Sequence, residues 1–164
     1  MIQSCCASRS IHSVPEPHLQ GRFDPISDVS VVDLGDLNLH TLPDVVVQNS
    51  HQIEHLLLDE NNFNEKTFEG ITFPNLKSLS LNSNKIKNVG VFIQLLAWKC
   101  PNLTFLSLIG NPGWPHPVLG GNAVLYGTLA TTVASFLPRL QFLDSMPVPE
   151  GAKNVKLPSQ CRIQ

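Results

Sequence analysis

Apolar residues recur along this chain with the spacing L-x-x-L-x-L-x-x-N-x-L, and the pattern fits four times. The four copies occupy Val29, Val32, Leu34, Leu37 and Leu39; Ile53, Leu56, Leu58, Asn61 and Phe63; Leu76, Leu79, Leu81, Asn84 and Ile86; and Leu103, Leu106, Leu108, Asn111 and Gly113. The Asn slots fall at positions 37, 61, 84 and 111, and Leu37 stands in place of Asn in the first copy. The successive differences are 24, 23 and 27. A partial fifth copy begins at Leu140 and Leu143. This period predicts a stack of short structural repeats.

Each L-x-L step predicts a short strand, because alternate residues of a strand point to the same face. Parallel stacking of such strands buries the leucines between neighbouring repeats. An Asn side chain both donates and accepts, so Asn61, Asn84 and Asn111 are expected to pair backbone groups that the turn leaves unsatisfied. The spacing therefore predicts an α/β leucine-rich-repeat solenoid, with a curved parallel sheet of about five short strands.

The segments between the strands differ in character. Apolar residues at helical spacing predict a helix from Val89 to Lys99, which Cys100 and Pro101 end. After the fourth repeat, prolines and glycines indicate an irregular loop, and Asn122 is placed to cap a further helix that reaches about Phe136. One broad face of that helix is expected to hold Val124, Leu125, Leu129, Val133 and Phe136. This longer repeat is interpreted as a modified C-terminal cap.

The repeat pattern and the composition together suggest the domain limits. The repeats and their cap occupy residues 25–146, and the flanking residues 1–24 and 147–164 are rich in Pro, Ser and Gln, so we expect flexible tails there. No apolar run of about 20 residues predicts a membrane span. Residues 1–15 hold no apolar stretch of the length that a signal peptide needs.

The four cysteines, Cys5, Cys6, Cys100 and Cys161, match no metal-ligand spacing. Together with the lack of a signal peptide, this favours a reducing intracellular compartment, most simply the cytoplasm. Cys100 lies between an apolar helix and a strand, which predicts a buried structural thiol. Lipidation of the adjacent Cys5 and Cys6 stays open, although no accompanying lipidation signal supports it.

Composition narrows the function. Charged residues make up 15% of the chain and the formal net charge is −2, whereas proteins that bind nucleic acid directly usually carry a basic patch. The sequence contains no phosphate-binding glycine loop and no nucleophile motif, so we expect no cofactor and predict a non-enzymatic protein.

One segment offers a catalytic alternative. His51, Glu54 and His55 match H-x-x-E-H, the pattern of an inverted zinc-protease motif. That chemistry needs both histidines on one face of a helix, and Ile53 and Leu56 already belong to a repeat strand. A zinc-dependent hydrolase is therefore the remote alternative.

The strand positions between the leucines are predicted to form a concave face that binds a partner. The candidate residues on that face are His55, Leu57, Asp59, Phe105, Ile109, Phe142 and Asp144. Phe105 and Phe142 should be neighbours in one row across the sheet, with Ile109 nearby, and such an apolar patch is typical of an interaction site. The alternative is that the loop from Pro112 to Gly121 folds back over the patch.

Three stretches carry a resemblance to a known family. "HLLLDENNFNEKTFEGITFPNLKSLSLNSNKIKNV", "CPNLTFLSLIGNPGWP" and "LPRLQFLD" resemble intracellular leucine-rich-repeat proteins with a short C-terminal cap, and among them the branch associated with melanocyte differentiation. The similarity covers about residues 29–146. Such caps often carry a Tyr-Arg pair in the helix before the last stretch. Here Leu129 and Ala130 stand at that distance, and Tyr126 lies three residues earlier.

The resemblance implies an intracellular adaptor in pigment-organelle differentiation and vesicle traffic, which engages a protein partner such as a Rab-type small GTPase. Similar short repeat proteins also scaffold RNA-binding partners. A scaffold subunit of a nuclear RNA–protein particle is therefore the alternative function, and it does not require the chain to touch RNA itself.

Overall fold

Five short strands stack in parallel in chain order, as the repeat count predicted. The computed structural model describes residues 30–149 and 151. Its strands are β1 (Val31–Asp33), β2 (His55–Leu57), β3 (Ser78–Ser80), β4 (Phe105–Ser107), β5 (Phe142–Leu143) and β6 (Met146–Pro147). The sixth strand, which the sequence analysis did not predict, pairs with β5 in the antiparallel sense. It carries the sheet one residue past the predicted domain limit at 146, and the amide of Val148 donates to the carbonyl of Gln141 at 2.8 Å.

The leucines of the repeats form one continuous core. The register pairs Val32 with Leu56, Leu56 with Leu79, and so on through Leu106 to Leu143, and all five side chains are buried. Identical positions of successive repeats therefore stack on one another, which buries an apolar face that a single repeat would leave in water. Val29, the first position of the pattern, lies outside the described residues, as do Cys5, Cys6 and Cys161.

The Asn slots form a buried ladder of hydrogen bonds between repeats. Asn84 shows the pattern: its amide oxygen accepts from the backbone amide of Phe63 at 3.0 Å, and its amide nitrogen donates to the carbonyl of Leu58 at 2.9 Å. Asn61 and Asn111 make equivalent contacts one repeat earlier and one repeat later. Each side chain thus replaces backbone partners that the turn removes, inside a core where an unpaired amide is costly.

The residue before each Asn slot has a left-handed backbone. The φ values are 55° at Asp36, 56° at Glu60, 54° at Ser83 and 80° at Gly110. L-residues other than glycine rarely adopt this conformation. Its recurrence at one repeat position shows that the tight turn after each strand needs it, whichever side chain stands there.

The segments that return between strands differ in their helix content. A five-residue helix, α1 (Asp44–Gln48), follows β1, and the return after β2 has turns in place of a helix. The predicted helix after β3 is present as α2 (Val89–Lys99). Phe68 and Phe73 fill the helix-free return, and the Phe68 ring packs edge-on against Phe73 at 5.6 Å and against Phe92 of α2 at 5.9 Å.

Two side chains accept hydrogen bonds from backbone amides at the start of α2. The side chain of Asn88 accepts from the backbone amide of Val91, and the Glu65 carboxylate, one repeat earlier, accepts from the amides of Lys87 and Asn88. These hydrogen bonds, that of Asn88 first, hold the pKa of Glu65 below its ordinary value. At the other end, Cys100 is buried, as predicted, and its burial raises the pKa of the thiol to about 12.

The cap helix α3 (Ala123–Phe136) begins at Asn122 as predicted, with the Asn122 side chain accepting from the amides of Val124 and Leu125. The predicted buried face of this helix was partly wrong. Tyr126, Leu129 and Val133 pack on the core, whereas Val124 is 81% exposed and Leu125 is 50% exposed. At 100° per residue Val124 points away from the stripe that runs through 126, 129 and 133, whereas Leu125 lies at the edge of that stripe in the first turn of the helix.

Candidate binding face

Side chains of the strands that point away from the leucine core form what we call the open face of the sheet. One row of this face runs through Val31, His55, Ser78, Phe105 and Phe142 in direct register. Phe105 and Phe142 are therefore cross-strand neighbours. The Phe142 side chain is 44% exposed and Phe105 is half-buried. In the next row Leu57 is 37% exposed.

The middle of the open face is polar and internally bonded. One carboxylate oxygen of Asp59 accepts from the Ser80 hydroxyl and from the Asn82 backbone amide, each at 2.7 Å. The Asn82 side chain in turn accepts from the Ser107 hydroxyl at 2.7 Å and from the Ile109 amide at 2.9 Å. This network holds the strand ends of three repeats in a fixed arrangement, so the face is a rigid surface on which the apolar residues stand.

The loop after the fourth repeat does not bury Phe142. Its Trp114 is 3% exposed, and the indole nitrogen donates to the Asp144 carboxylate at 2.5 Å. The Trp114 ring packs edge-on against Tyr126 of α3, with centroids 5.3 Å apart. Trp114 therefore belongs to the core of the cap, and Phe142 stays accessible on the open face.

Asp144 does not lie on the open face, contrary to the sequence-based prediction. The strand ends at Leu143, and Asp144 and Ser145 take left-handed φ values of 51° and 67° in the turn to β6. This turn directs the Asp144 side chain inward, where it is buried. One of its oxygens accepts from the Leu108 amide at 2.8 Å, and the other accepts from Trp114.

The buried carboxylate gathers a cluster that sequence reasoning missed. The hydroxyl of Tyr126 lies 3.3 Å from Asp144, and the His116 ring lies 4.0 Å from it and 4.9 Å from the Tyr126 ring. Burial and the neighbouring Asp144 charge raise the pKa of Tyr126 to about 12. The signal was available in the spacing, because a Tyr three residues before the usual cap position lies on the same side of a helix.

A family model of leucine-rich repeats, described as two copies, matches residues 74–113. The match covers the third and fourth copies of the pattern, which contain β3, α2 and β4. The chain carries leucine-rich repeats and has the leucine-rich-repeat fold. Repeats of this kind suggest a protein–protein interaction module.

Two known proteins are similar to this leucine-rich-repeat chain. The leucine-rich melanocyte differentiation-associated protein of Homo sapiens is 33% identical over 99 residues, which are 58% of this chain and 49% of that protein. The chain thus spans about half the length of this curated relative. A chain in the crystal structure of the Drosophila melanogaster SNF/U2A' complex matches with a TM-score of 0.54 and 22% identity. That match covers 76% of this chain and 64% of the other, and it shows a shared fold.

The H-x-x-E-H segment lacks the helix that its zinc chemistry needs. His51 lies in a turn and His55 begins β2, while the Glu54 carboxylate pairs with the Lys77 ammonium at 2.6 Å. Within residues 30–149 and 151, no group of three His, Cys, Asp or Glu side chains is placed to hold a metal ion. In the same part of the chain, no helix has the length and apolar character to cross a bilayer.

Proposed function

We propose that this leucine-rich-repeat protein is a non-enzymatic adaptor that binds a protein partner on the open face of its sheet. The observation that carries the proposal is the cross-strand pair Phe105 and Phe142, which the protein leaves accessible beside Ser78. Large aromatic side chains on a rigid surface are frequent anchors of protein–protein binding.

We expect a partner to bind the open face by inserting a side chain beside Phe105. Ser78 follows Phe105 in the row, so a small side chain stands beside a large one and leaves room for an inserted partner side chain. Leu57 and Ile109 add apolar side chains in two further rows of the face, and His55 and Asp59 supply polar groups toward the N-terminal strands. The open face thus carries its aromatic anchors on the C-terminal strands, beside a polar network, and aromatic anchors bordered by polar groups are common in protein–protein interfaces.

The cellular setting of the proposal rests on similarity. The name of the similar human protein supports a role in melanocyte differentiation. We extend this to an intracellular adaptor in pigment-organelle differentiation or vesicle traffic, and a Rab-type small GTPase is the first partner to test. The net charge of −2 fits a protein partner better than direct contact with nucleic acid.

A scaffold within a nuclear RNA–protein particle is the second candidate. Its support is the fold shared with a chain of the SNF/U2A' complex. In that case the open face would bind an RNA-binding protein, and RNA would join only through that partner.

The test compares quantitative capture of proteins from cells by the wild-type chain and by the double variant Phe105→Ser, Phe142→Ser. We expect the specific partner to be lost from the double variant while the melting temperature stays unchanged. The matched control is Val31→Ser, which alters an exposed residue in the same row at the far end of the sheet. A double variant that still captures the same partner overturns the proposed site. A large fall in its melting temperature would show that the two rings belong to the core.

Binding of purified Rab proteins and of purified RNA-binding proteins then distinguishes the two candidate functions.

A further inference from the structure

Four aliphatic side chains near the start of α3 stand in solvent. Val118 and Leu119, in the 3-10 turn before the helix, are 80% and 63% exposed, and Val124 and Leu125 of the helix are 81% and 50% exposed. We call these four residues the α3 patch; they lie within eight consecutive residues of the chain. A monomer rarely leaves so many large apolar side chains together in water.

On the outer side of α3 beyond the patch, the hydroxyl groups already have hydrogen-bond partners. Its hydroxyl residues donate to carbonyls of their own helix: Thr128 to Val124, Thr131 to Gly127, Thr132 to Thr128 and Ser135 to Thr132, at 2.7 to 3.0 Å. A hydroxyl that is already bonded to its own backbone needs no water. This side of the helix can therefore be covered without leaving a donor unpaired.

The lack of charged residues in this part of the chain limits the kinds of surface that can bind the patch. From Cys100 to Pro138 the chain contains no Asp, Glu, Lys or Arg. A charged partner surface would lose its hydration here and gain no opposite charge in return. An anionic membrane would need Lys or Arg beside the inserted aliphatic residues, and this stretch supplies none.

We propose that the α3 patch is the contact between two copies of this chain in a symmetric dimer. An uncharged face is the part of the molecule that can meet its own copy without opposing like charges. Two-fold symmetry is also the commonest arrangement of identical chains, because one self-complementary patch suffices. The patch belongs to α3, which packs beside α2, and to the turn before α3, whereas the strands form the open face. A dimer formed there carries two accessible open faces, so it can bind a partner bivalently.

The mass of the full chain in solution tests the dimer, measured by sedimentation over about 1 to 100 µM. We expect the mass to rise from 18.0 kDa toward twice that value with concentration. Val124→Glu should raise the dimer dissociation constant by about tenfold or more, because it places an unpaired charge in the contact. The fold should tolerate this change, since a carboxylate in the first turn of a helix is favourable.

The matched control is Val91→Glu, the same change at an exposed valine in the first turn of α2; it should leave the dimer intact, and so should the Phe105→Ser, Phe142→Ser variant. Any one of four results overturns the proposal. These are a monomer at every concentration, equal effects of Val91→Glu and Val124→Glu, a Val124→Glu melting temperature that falls because the chain covers its own patch, and recruitment to phosphatidylcholine vesicles in place of dimerisation.

Discussion

The hydroxyl of Tyr126 meets the carboxylate of Asp144 at 3.3 Å across the core of the C-terminal cap. Tyr126 lies one helical turn before the position at which similar caps often carry their tyrosine, yet it reaches the carboxylate of the LPRLQFLD stretch. The contact also places the phenol against Trp114, so the loop, the helix and the final turn are joined at one carboxylate.

The titration of Tyr126 should report this contact directly. The chain has one tyrosine, so its ultraviolet absorbance follows a single phenol. We expect a midpoint near pH 12, where an ordinary tyrosine titrates near 10, chiefly because burial disfavours the phenolate and then because Asp144 repels it. In Asp144→Asn the midpoint should fall without reaching 10, since burial persists. Because the folded pKa is the higher one, this group's contribution to stability is complete below pH 10 and is lost as the pH rises toward 12. A wild-type midpoint near 10 would contradict the assignment.

Repeat spacing and strand alternation predicted the parallel strands, the buried leucines and the register of Phe105 beside Phe142. These features follow from residues that recur, so local chemistry and global packing agree. The position of Asp144 could not be predicted in the same way. Strand alternation assigns it to the open face, but the strand stops one residue earlier at a left-handed turn into β6. Nothing in the repeat template marks that stop, because the fifth copy lacks an Asn slot.

The exposure of Val124 and Leu125 escaped prediction for a different reason. The sequence analysis assigned the apolar residues of α3 to one broad face, yet Val124 lies about 180° around the helix from Val133 and cannot point inward with it. The core accepts the stripe that contains Val133 and Ala134, and the first turn of the helix lies beyond it. Apolar content alone could not distinguish a core position from a surface patch.

Asn84→Ala should destabilise the fold by roughly 1–3 kcal/mol, because it leaves the buried amide of Phe63 without a partner and removes one of the two hydrogen bonds to the carbonyl of Leu58. The control is Asn75→Ala, which removes one bond from an exposed side chain to the carbonyl of His51 and should cost about 0.5–1 kcal/mol. Denaturant unfolding of both variants gives the comparison. Equal costs would mean that water replaces the Asn84 side chain in the turn.

Gly113 occupies the last apolar slot of the fourth repeat because no larger residue fits there. A Cβ at this position would lie 2.1 Å from the carbonyl oxygen of Lys87 and 2.6 Å from its carbon. The backbone would have to move, so we expect Gly113→Ala to cost about 1–3 kcal/mol. Gly127→Ala is the matched control: a Cβ there meets nothing within 4 Å, and alanine in a helix should stabilise by about 0.5–1 kcal/mol. Thermal unfolding should therefore move in opposite directions for the two variants, and a neutral Gly113→Ala would refute the close approach.

The free energy of unfolding should depend on pH in the acid range because of Glu65 at the start of α2. Its carboxylate accepts from the backbone amides of Asn88 and Lys87, which lowers the pKa of Glu65. A folded pKa below the unfolded value means that the contribution is complete above about pH 4.5 and is lost as the pH falls through the folded pKa. The stability difference between wild type and Glu65→Gln should therefore be largest near neutral pH and should shrink in acid. Glu69→Gln, the same change at an exposed position of the same return segment, is the matched control. Denaturant unfolding between pH 7 and about 3 measures both variants. A difference for Glu65→Gln that stays constant across this range would show that the carboxylate charge does not support the helix.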